Sequence, residues 1–368
     1  MFRRISNSHT LSQAILLKAN NKNISDKTLD KIGKKITCIK NSVEPMEKRL
    51  GKNTITPYDY AFGMNEVCTA LQKIKNHTVY EKISKVLGEH SVEYALLHTT
   101  KLLKENTQSN IVSNIFDTLT LPVICKSESN NIGNRIVNFS CLNSLFTYVN
   151  KSRDGNFKAI TKMAKNDSIN RMHYTCIDVF KKGSKIDLVV YESACLQGIA
   201  SAGPDYGVKY LRNVLKDQFT KGKIKPENIR VGVIEMGIQN SPSDCAIFSV
   251  STAKNLYKNT ETSELMFSKL NNRGEKFTLF YNSSAKNTII DPKSVKQCID
   301  LHPLFLKHAT SKSGIMLTNA KDKKINKKGE TLQQRIVGNY QLRDGLIYSN
   351  SIEVKREIYL HRINERNS

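Results

Sequence analysis

The stretch MHYTCIDVFKKGSKIDLVVYESA, residues 172–194, has two alternating polar and apolar runs on either side of a Lys-Gly-Ser turn. This pattern predicts a β-hairpin. If Lys182 and Gly183 form a two-residue loop, the register places His173 directly opposite Glu192. Opposed side chains share one face, about 4.5 to 5.5 Å apart at Cβ. The carboxylate could then hold one imidazole nitrogen and leave the other free as a base.

A nucleophile follows in the segment IQNSPSDCAIFSVSTAKNLY, residues 238–257. Ser241 with Asp244 three residues later is a capping-box pattern, and Pro242 suits a first helical position, so a helix is predicted to begin around Pro242. Cys245 then lies in the first turn. The free amides and the positive end of the helix dipole favour a thiolate there.

Gln239, in the loop before this helix, could donate its side-chain amide to the oxyanion of a tetrahedral intermediate. Each residue also has an ordinary structural explanation: a strand His is usually packed, a strand Glu is usually solvated, and a lone Cys is usually a small core residue. The chain order His, acid, Gln, Cys, together with the hairpin register and the helix start, favours a triad of His173, Glu192 and Cys245, assisted by Gln239.

These motifs resemble the YopJ family of type III effector acetyltransferases. The resemblance rests on HYTCIDV at His173, VVYESA at Glu192, an AGP at 202–204 and the Cys245 segment, and it spans about residues 121–362. The Lys-His pair in LFLKHATSK resembles another element of the family.

Two positions depart from the family pattern. Ser193 stands where the family often has Pro, and Ala246 follows the nucleophile where Gly is usual. Neither change removes a reacting group.

The resemblance implies an α+β, cysteine-protease-like fold (clan CE), with a mixed β-sheet flanked by helices and an accessory helical regulatory region from the N- and C-terminal segments. It implies acetyl-CoA as substrate and inositol hexakisphosphate as allosteric activator. It also implies a virulence role: type III secretion into the host cytoplasm and acetylation of host signalling proteins such as kinases. Basic residues on both sides of the core are candidate activator contacts: Lys158, Lys162, Lys307, His308, Arg335 and Lys355.

Further strand-like and helix-like runs alternate between Thr118 and about Asn259, which also indicates an α+β sheet domain. The predicted strands besides the hairpin are LTLPVICK (119–126), RIVNFSC (135–141) and NIRVGVIEM (228–236), and the predicted helices lie near 144–165, 204–219 and 242–258. The expected organisation is a mobile leader or loosely packed helices over 1–55 that could carry a secretion signal, a helical accessory segment over 56–117, a catalytic domain over 118–300, and a basic regulatory segment over 301–368.

Composition limits the class of protein but does not identify its function. Lys and Arg number 57 against 33 acidic residues, a formal charge of +24 that would attract polyanions. The eight cysteines form no CxxC pair, so neither a metal site nor a disulfide framework is predicted. The first 23 residues lack the apolar core of a signal peptide, and no apolar run approaches membrane-spanning length.

Two other functions remain open at this point. A His/Glu/Cys triad could equally serve a cysteine protease that cleaves ubiquitin-like modifiers. The net charge alone would also suit a non-catalytic nucleic-acid-binding protein, although the sequence lacks basic residues interleaved with aromatic ones and a recognition helix. Nucleic acid is therefore not an expected partner.

Overall fold

A computed structural model describes residues 2–19, 23–42, 56–105, 110–165, 172–194, 203, 205–239, 241, 243–271, 279–281, 301–310, 321–343 and 346–367. The helices are α1 (Phe2–Ala19), α2 (Asp26–Ser42), α3 (Pro57–Gln72), α4 (His77–Glu105), α5 (Asn110–Ile132), α6 (Leu142–Lys151), α7 (Gly207–Thr220), α8 (Cys245–Lys258), α9 (Thr260–Asn271), α10 (Leu332–Val337) and α11 (Ser351–Asn367). The strands are β1 (Ile136–Phe139), β2 (Gly155–Lys162), β3 (Tyr174–Lys182), β4 (Lys185–Ala194), β5 (Ile229–Gln239), β6 (Leu279–Tyr281), β7 (Tyr340–Arg343) and β8 (Leu346–Ser349).

Strands β1 to β6 form one mixed sheet in chain order. The β1–β2 and β4–β5 pairs are parallel and the other pairs are antiparallel. Alternate side chains of the central strands point to opposite faces. Tyr174, Cys176 and Tyr191 belong to a core that includes α5 and α8, whereas Ile177 and Val190 belong to a second core with α6 and α7. The predicted α+β fold, a mixed sheet flanked by helices, is confirmed.

Two helices lie in the N-terminal region, which was expected to be a mobile leader or loosely packed helices. Leu11 and Ile15 of α1, and Ile32 and Ile36 of α2, are almost fully buried. Their four-residue spacing gives each helix an apolar stripe, with which α1 packs on α3 and α2 on α4. Helix α11 packs on α4 as well, so terminal segments from both ends of the chain form a helical region beside the sheet, as expected.

The segment LTLPVICK is helical, and its strand prediction was wrong. It lies in the middle of α5, which runs without a break across the expected domain boundary at 117/118. Leu119 and Val123 lie one helical turn apart and face Gly88 of α4, where an added Cβ would stand 2.8 Å from Val123 Cγ1. Gly88 therefore permits the close approach of the two helices, and their contact decides the conformation of an apolar run that periodicity alone leaves ambiguous.

The helix predicted near 144–165 was also wrong in its second half. Helix α6 ends at Lys151, and residues 155–162 form β2. All residues of β2 from Phe157 to Lys162 are buried, and Lys158 and Lys162 are each 1% exposed, so this part of the strand is buried on both faces. Because lysines are usually solvated, these two concealed the strand pattern.

Candidate active site

The hairpin turn sets the positions of the candidate base and acid. Its two loop residues are Gly183 and Ser184, because Lys182 pairs with Lys185. Gly183 has φ +58°, a conformation that favours glycine in the first loop position. The predicted register was therefore wrong by two residues, and Glu192 stands opposite Thr175 instead of His173. A shift of two keeps the same sheet face, so the predicted proximity survives.

His173 lies just before β3 and contacts the Glu192 carboxylate. The His173 Nε2 to Glu192 Oε2 distance is 2.7 Å, and the two residues are 3% and 0% exposed. Glu192 also accepts from Thr175 Oγ1 at 3.1 Å and from the Ala194 amide at 2.9 Å. These bonds fix the carboxylate, which in turn orients the imidazole.

Cys245 is the first residue of α8 and is 3% exposed. Its Sγ accepts from the Tyr174 amide at 3.3 Å and lies 4.0 Å from the Met172 carbonyl, so it lies against the backbone on both sides of His173. The predicted place of Cys245 in the first turn is confirmed. The predicted capping box is not: Asp244 is the N-cap, Ser241 Oγ has no hydrogen-bond partner among the described residues, and Pro242 lies outside them.

The surroundings of His173 favour the charged form of its imidazole. Burial alone would lower its pKa, but the charge of Glu192 and hydrogen bonds to Cys245 and Glu192 raise the pKa to about 10. Tyr206 stacks on the ring with centroids 5.2 Å apart. An imidazolium beside Sγ is the arrangement that activates cysteine nucleophiles.

We expect the pKa of His173 to be lower in Cys245→Ala than in the wild type. The substitution removes the hydrogen bond and the charge that Cys245 contributes, while burial continues to favour the neutral ring. NMR titration of the labelled imidazole measures this change. Cys176→Ala, which replaces another buried strand cysteine, is the control. Equal titration curves for wild type and Cys245→Ala would refute coupling between the two side chains.

Gln239 is the last residue of β5. Its Oε1 accepts from Ser193 Oγ at 2.7 Å, and its Nε2 donates to the Ser241 carbonyl at 2.7 Å. Ser193, one of the departures from the family pattern, thus orients the amide of Gln239. Nε2 carries two hydrogens, so this bond leaves one for an oxyanion.

Sequence reasoning missed several supporting residues. Thr175 could have been found, because it shares the strand face of His173 two residues away. Tyr206 follows the AGP motif closely, but nothing local shows that it covers the imidazole. Arg356 lies over a hundred residues beyond Cys245, yet contacts the turn before it, and no sequence signal indicates this.

Four of the six candidate activator contacts lie close together. Lys307, His308, Arg335 and Lys355 influence one another electrostatically, and Lys254, Lys258 and Arg362 join them. We call Lys254, Lys258, Lys307, Arg335, Lys355 and Arg362 the basic cluster. A cavity of about 420 Å³ adjoins it, lined by Asn131, Ile132, Lys254, Lys258, Arg362, Glu365 and Arg366.

Among the residues that the structure describes, fewer carboxylates than basic groups pair with the basic cluster. Burial and neighbouring positive charges lower the pKa of Lys307 and of Lys355 to about 8. Glu128 pairs with both Lys254 and Arg362, and Glu330 pairs with Arg335. Largely buried lysines that repel each other are what a bound polyanion would stabilise, so these residues fit such a ligand.

Lys158 and Lys162 do not contribute free charge to such a site. Lys158 Nζ lies 2.6 Å from Asp178 Oδ1 and 3.2 Å from Ser263 Oγ, which satisfies the ammonium inside the core. Lys162 is buried at the end of β2. An ion pair between adjacent strands explains a buried lysine better than an external ligand.

The fold and a large part of the sequence match proteins of one family. The structure is similar to an AvrA deletion variant with IP6 and CoA (18% identity, TM-score 0.58, 76% of this chain and 99% of AvrA covered). It is also similar to HopZ1a with IP6 (16%, 0.53, 75% and 97%) and to HopZ1a with IP6 and CoA (14%, 0.53, 75% and 98%). No protein with a curated description is significantly similar in sequence. The family model described as YopJ Serine/Threonine acetyltransferase matches residues 92–362. The chain belongs to the YopJ acetyltransferase family.

Proposed function

We propose that this protein transfers acetyl groups from acetyl-CoA, through an acyl-enzyme on Cys245, to serine, threonine or lysine side chains of host signalling proteins such as kinases. The contact of His173 with Glu192, and the position of Cys245 Sγ against the backbone on both sides of His173, carry the proposal. This is the arrangement that a nucleophilic cysteine requires.

In the first step, the Cys245 thiolate attacks the acetyl carbonyl. The new carbon–sulfur bond forms, the bond to the sulfur of CoA breaks, and protonated His173 gives its proton to the departing thiolate. Gln239 Nε2 and backbone amides stabilise the oxyanion.

In the second step, His173 acts as the base. Once Cys245 is acylated it no longer supports the charged imidazole, so the neutral ring can take the proton of the acceptor hydroxyl or amine. The acceptor attacks the thioester, the bond to Cys245 breaks, and the thiolate and imidazolium are restored.

Mass spectrometry of the whole protein after brief incubation with acetyl-CoA tests this proposal. We expect a single added acetyl group that maps to Cys245 and is removed by hydroxylamine, as a thioester is. If label appears on lysines alone at the shortest times, direct transfer replaces the acyl-enzyme. Cleavage of a ubiquitin-like tail without acetylation would favour the protease alternative, which the same residues permit.

The family resemblance also supports delivery into the host cytoplasm by type III secretion, as part of the same proposal. Among the helices that the structure describes, none has the length and apolar character needed to cross a membrane.

The basic cluster would hold inositol hexakisphosphate as an activator. HopZ1a and the AvrA variant are both described in complex with IP6, and here Lys307 and Lys355 present under-compensated charge. The bound anion supplies negative charge that relieves their repulsion. Because the cluster joins α8, α11 and the segment around Lys307, this would tighten the terminal helices against the catalytic helix.

We expect inositol hexakisphosphate to raise the melting temperature of the wild type by several degrees, since a ligand at a hundredfold excess over its Kd stabilises by about 2.7 kcal/mol. Acetylation should also rise. In Lys307→Met/Lys355→Met, both responses should shrink, while the ligand-free melting temperature should stay level or increase because two buried charges are gone.

The matched control is Lys182→Met/Lys185→Met, which removes two exposed lysines at the hairpin turn. It should leave the ligand response intact. Flat melting temperature and activity in the wild type at saturating ligand, in about 0.15 M salt, would refute the activator.

A further inference from the structure

Arg356 connects three segments behind the candidate nucleophile. Its side chain extends from α11 and is 3% exposed, and its Nε and Nη2 donate to the two carboxylate oxygens of Asp117 on α5 at 3.0 and 2.9 Å. Nη2 also donates to the Ser243 carbonyl at 3.0 Å and lies 2.9 Å from Asp244 Oδ1. Ser243 and Asp244 immediately precede Cys245, so one guanidinium joins α11, α5 and the start of α8.

Asp244 is the N-cap residue of α8, but its carboxylate does not cap the helix. An N-cap Asp usually has an extended backbone, and its carboxylate accepts from amides of the first turn. Asp244 has φ −106° and ψ 2° and makes no such bond. Its Oδ1 faces Arg356 at ion-pair distance, outside hydrogen-bond geometry. The carboxylate is therefore drawn away from the first-turn amides.

This orientation has a chemical consequence for the adjacent sulfur. An unpaired carboxylate next to Cys245 would disfavour the thiolate by repulsion, and a carboxylate bound to the first-turn amides would use the donors that favour an anion there. Arg356 opposes both effects. It offsets the charge of Asp244, and its bond to Ser243 fixes the turn itself.

We propose that Arg356 is a positioning residue for Cys245, holding the Ser243–Asp244 turn and keeping the Asp244 carboxylate from the amides that favour the thiolate. This inference rests on the proposed role of Cys245 as nucleophile. Around Cys245, the described structure places these ionisable groups: His173, Tyr174 and Asp244, with Glu192 behind His173 and with Arg356 and Asp117 behind Asp244.

The test is the pH dependence of Cys245 alkylation by iodoacetamide, followed by peptide mass spectrometry on the full chain without acetyl-CoA. In Arg356→Met, the midpoint of the profile should move upward by about one pH unit, so alkylation at pH values below the wild-type midpoint should be about tenfold slower. In Arg356→Met/Asp244→Asn, the profile should move most of the way back to that of the wild type, because the negative charge of the Asp244 carboxylate is then gone. A role in stability alone would lower the melting temperature without this shift or its rescue.

Arg356→Met leaves two buried carboxylates, so the variant could fail to fold. The same measurement is then made on Asp117→Asn/Arg356→Met, in which Asp244 is the one carboxylate left without its Arg356 partner. The matched control is Arg230→Met, which breaks the partly buried ion pair with Asp187. Asp187 lies about 20 Å along the sheet from Tyr174, whose amide contacts Cys245, at about 3.3 Å per residue. The alkylation profile of Arg230→Met should coincide with that of the wild type.

Coincident profiles for wild type and Asp117→Asn/Arg356→Met, or a shift that Asp244→Asn does not reduce, would overturn the inference. The readout does not involve acetyl-CoA. A shifted and rescued profile in a protein that forms no acetyl thioester would therefore support the role of Arg356 and refute the proposed transfer reaction separately.

Discussion

Cys245→Ala is expected to abolish acetyl transfer, with a fall in rate of about 10⁴-fold or more, as for the loss of a nucleophile from a triad. The substitution removes the atom that would carry the acetyl group and leaves His173, Glu192 and Gln239 in place. Radiolabelled acetyl-CoA with an acceptor protein, together with whole-protein mass spectrometry, measures both the transfer and the missing thioester.

The fold should survive this substitution. Cys245 is buried beside Ala246 and Phe248, and loss of one sulfur leaves a small cavity, so we expect destabilisation of about 1 kcal/mol. Cys176→Ala provides the matched control, because Cys176 is a fully buried thiol of β3. It should keep the transfer rate within about threefold of the wild type. Transfer by Cys245→Ala at a rate close to that of Cys176→Ala would refute the acyl-enzyme.

Local pattern predicted the parts of the site that lie close together in the chain. The hairpin register was wrong by two, yet the period of two in a strand kept His173 and Glu192 on one face. The capping box was wrong, yet Cys245 still begins α8, because the strand before it and the apolar helix after it leave little room for the helix to start elsewhere. The prediction of a site survives such errors when the site depends on which face of a strand or helix its residues occupy and not on their exact pairing.

Tertiary contacts decided what local pattern could not. LTLPVICK is helical because it packs on α4 at Gly88, and Lys158 is buried because it pairs with Asp178. The contact of Arg356 with Ser243 joins residues more than a hundred positions apart, and no spacing rule reaches that far. A lysine or arginine read from sequence is assigned to solvent by default, which is why the buried ionic contacts of this protein were not predicted.

Glu192→Gln is the second substitution with a large expected effect, a fall in transfer rate of about 10⁴-fold, as for loss of the orienting acid in other triads. Glu192 receives hydrogen bonds from His173, Thr175 and the Ala194 amide. A Gln side chain has one oxygen, so its NH₂ group must face at least one of these donors. Loss of the carboxylate charge also removes the main influence that raises the pKa of His173 above its ordinary value.

Two measurements on Glu192→Gln separate this role from a general structural one. The affinity for acetyl-CoA should be close to that of the wild type, because Glu192 is fully buried behind the imidazole and the loss should fall on kcat. The pKa of His173, followed by NMR, should drop below about 10. As pH rises, the imidazole of the variant should therefore lose its proton at a lower pH than that of the wild type, and the imidazolium–thiolate pair is lost with it. Asp187→Asn, on the same strand, keeps His173 and its partner intact and should change the rate by no more than about threefold. If Glu192→Gln transfers acetyl as fast as Asp187→Asn, the carboxylate does not orient the base, and the short contact with His173 is structural.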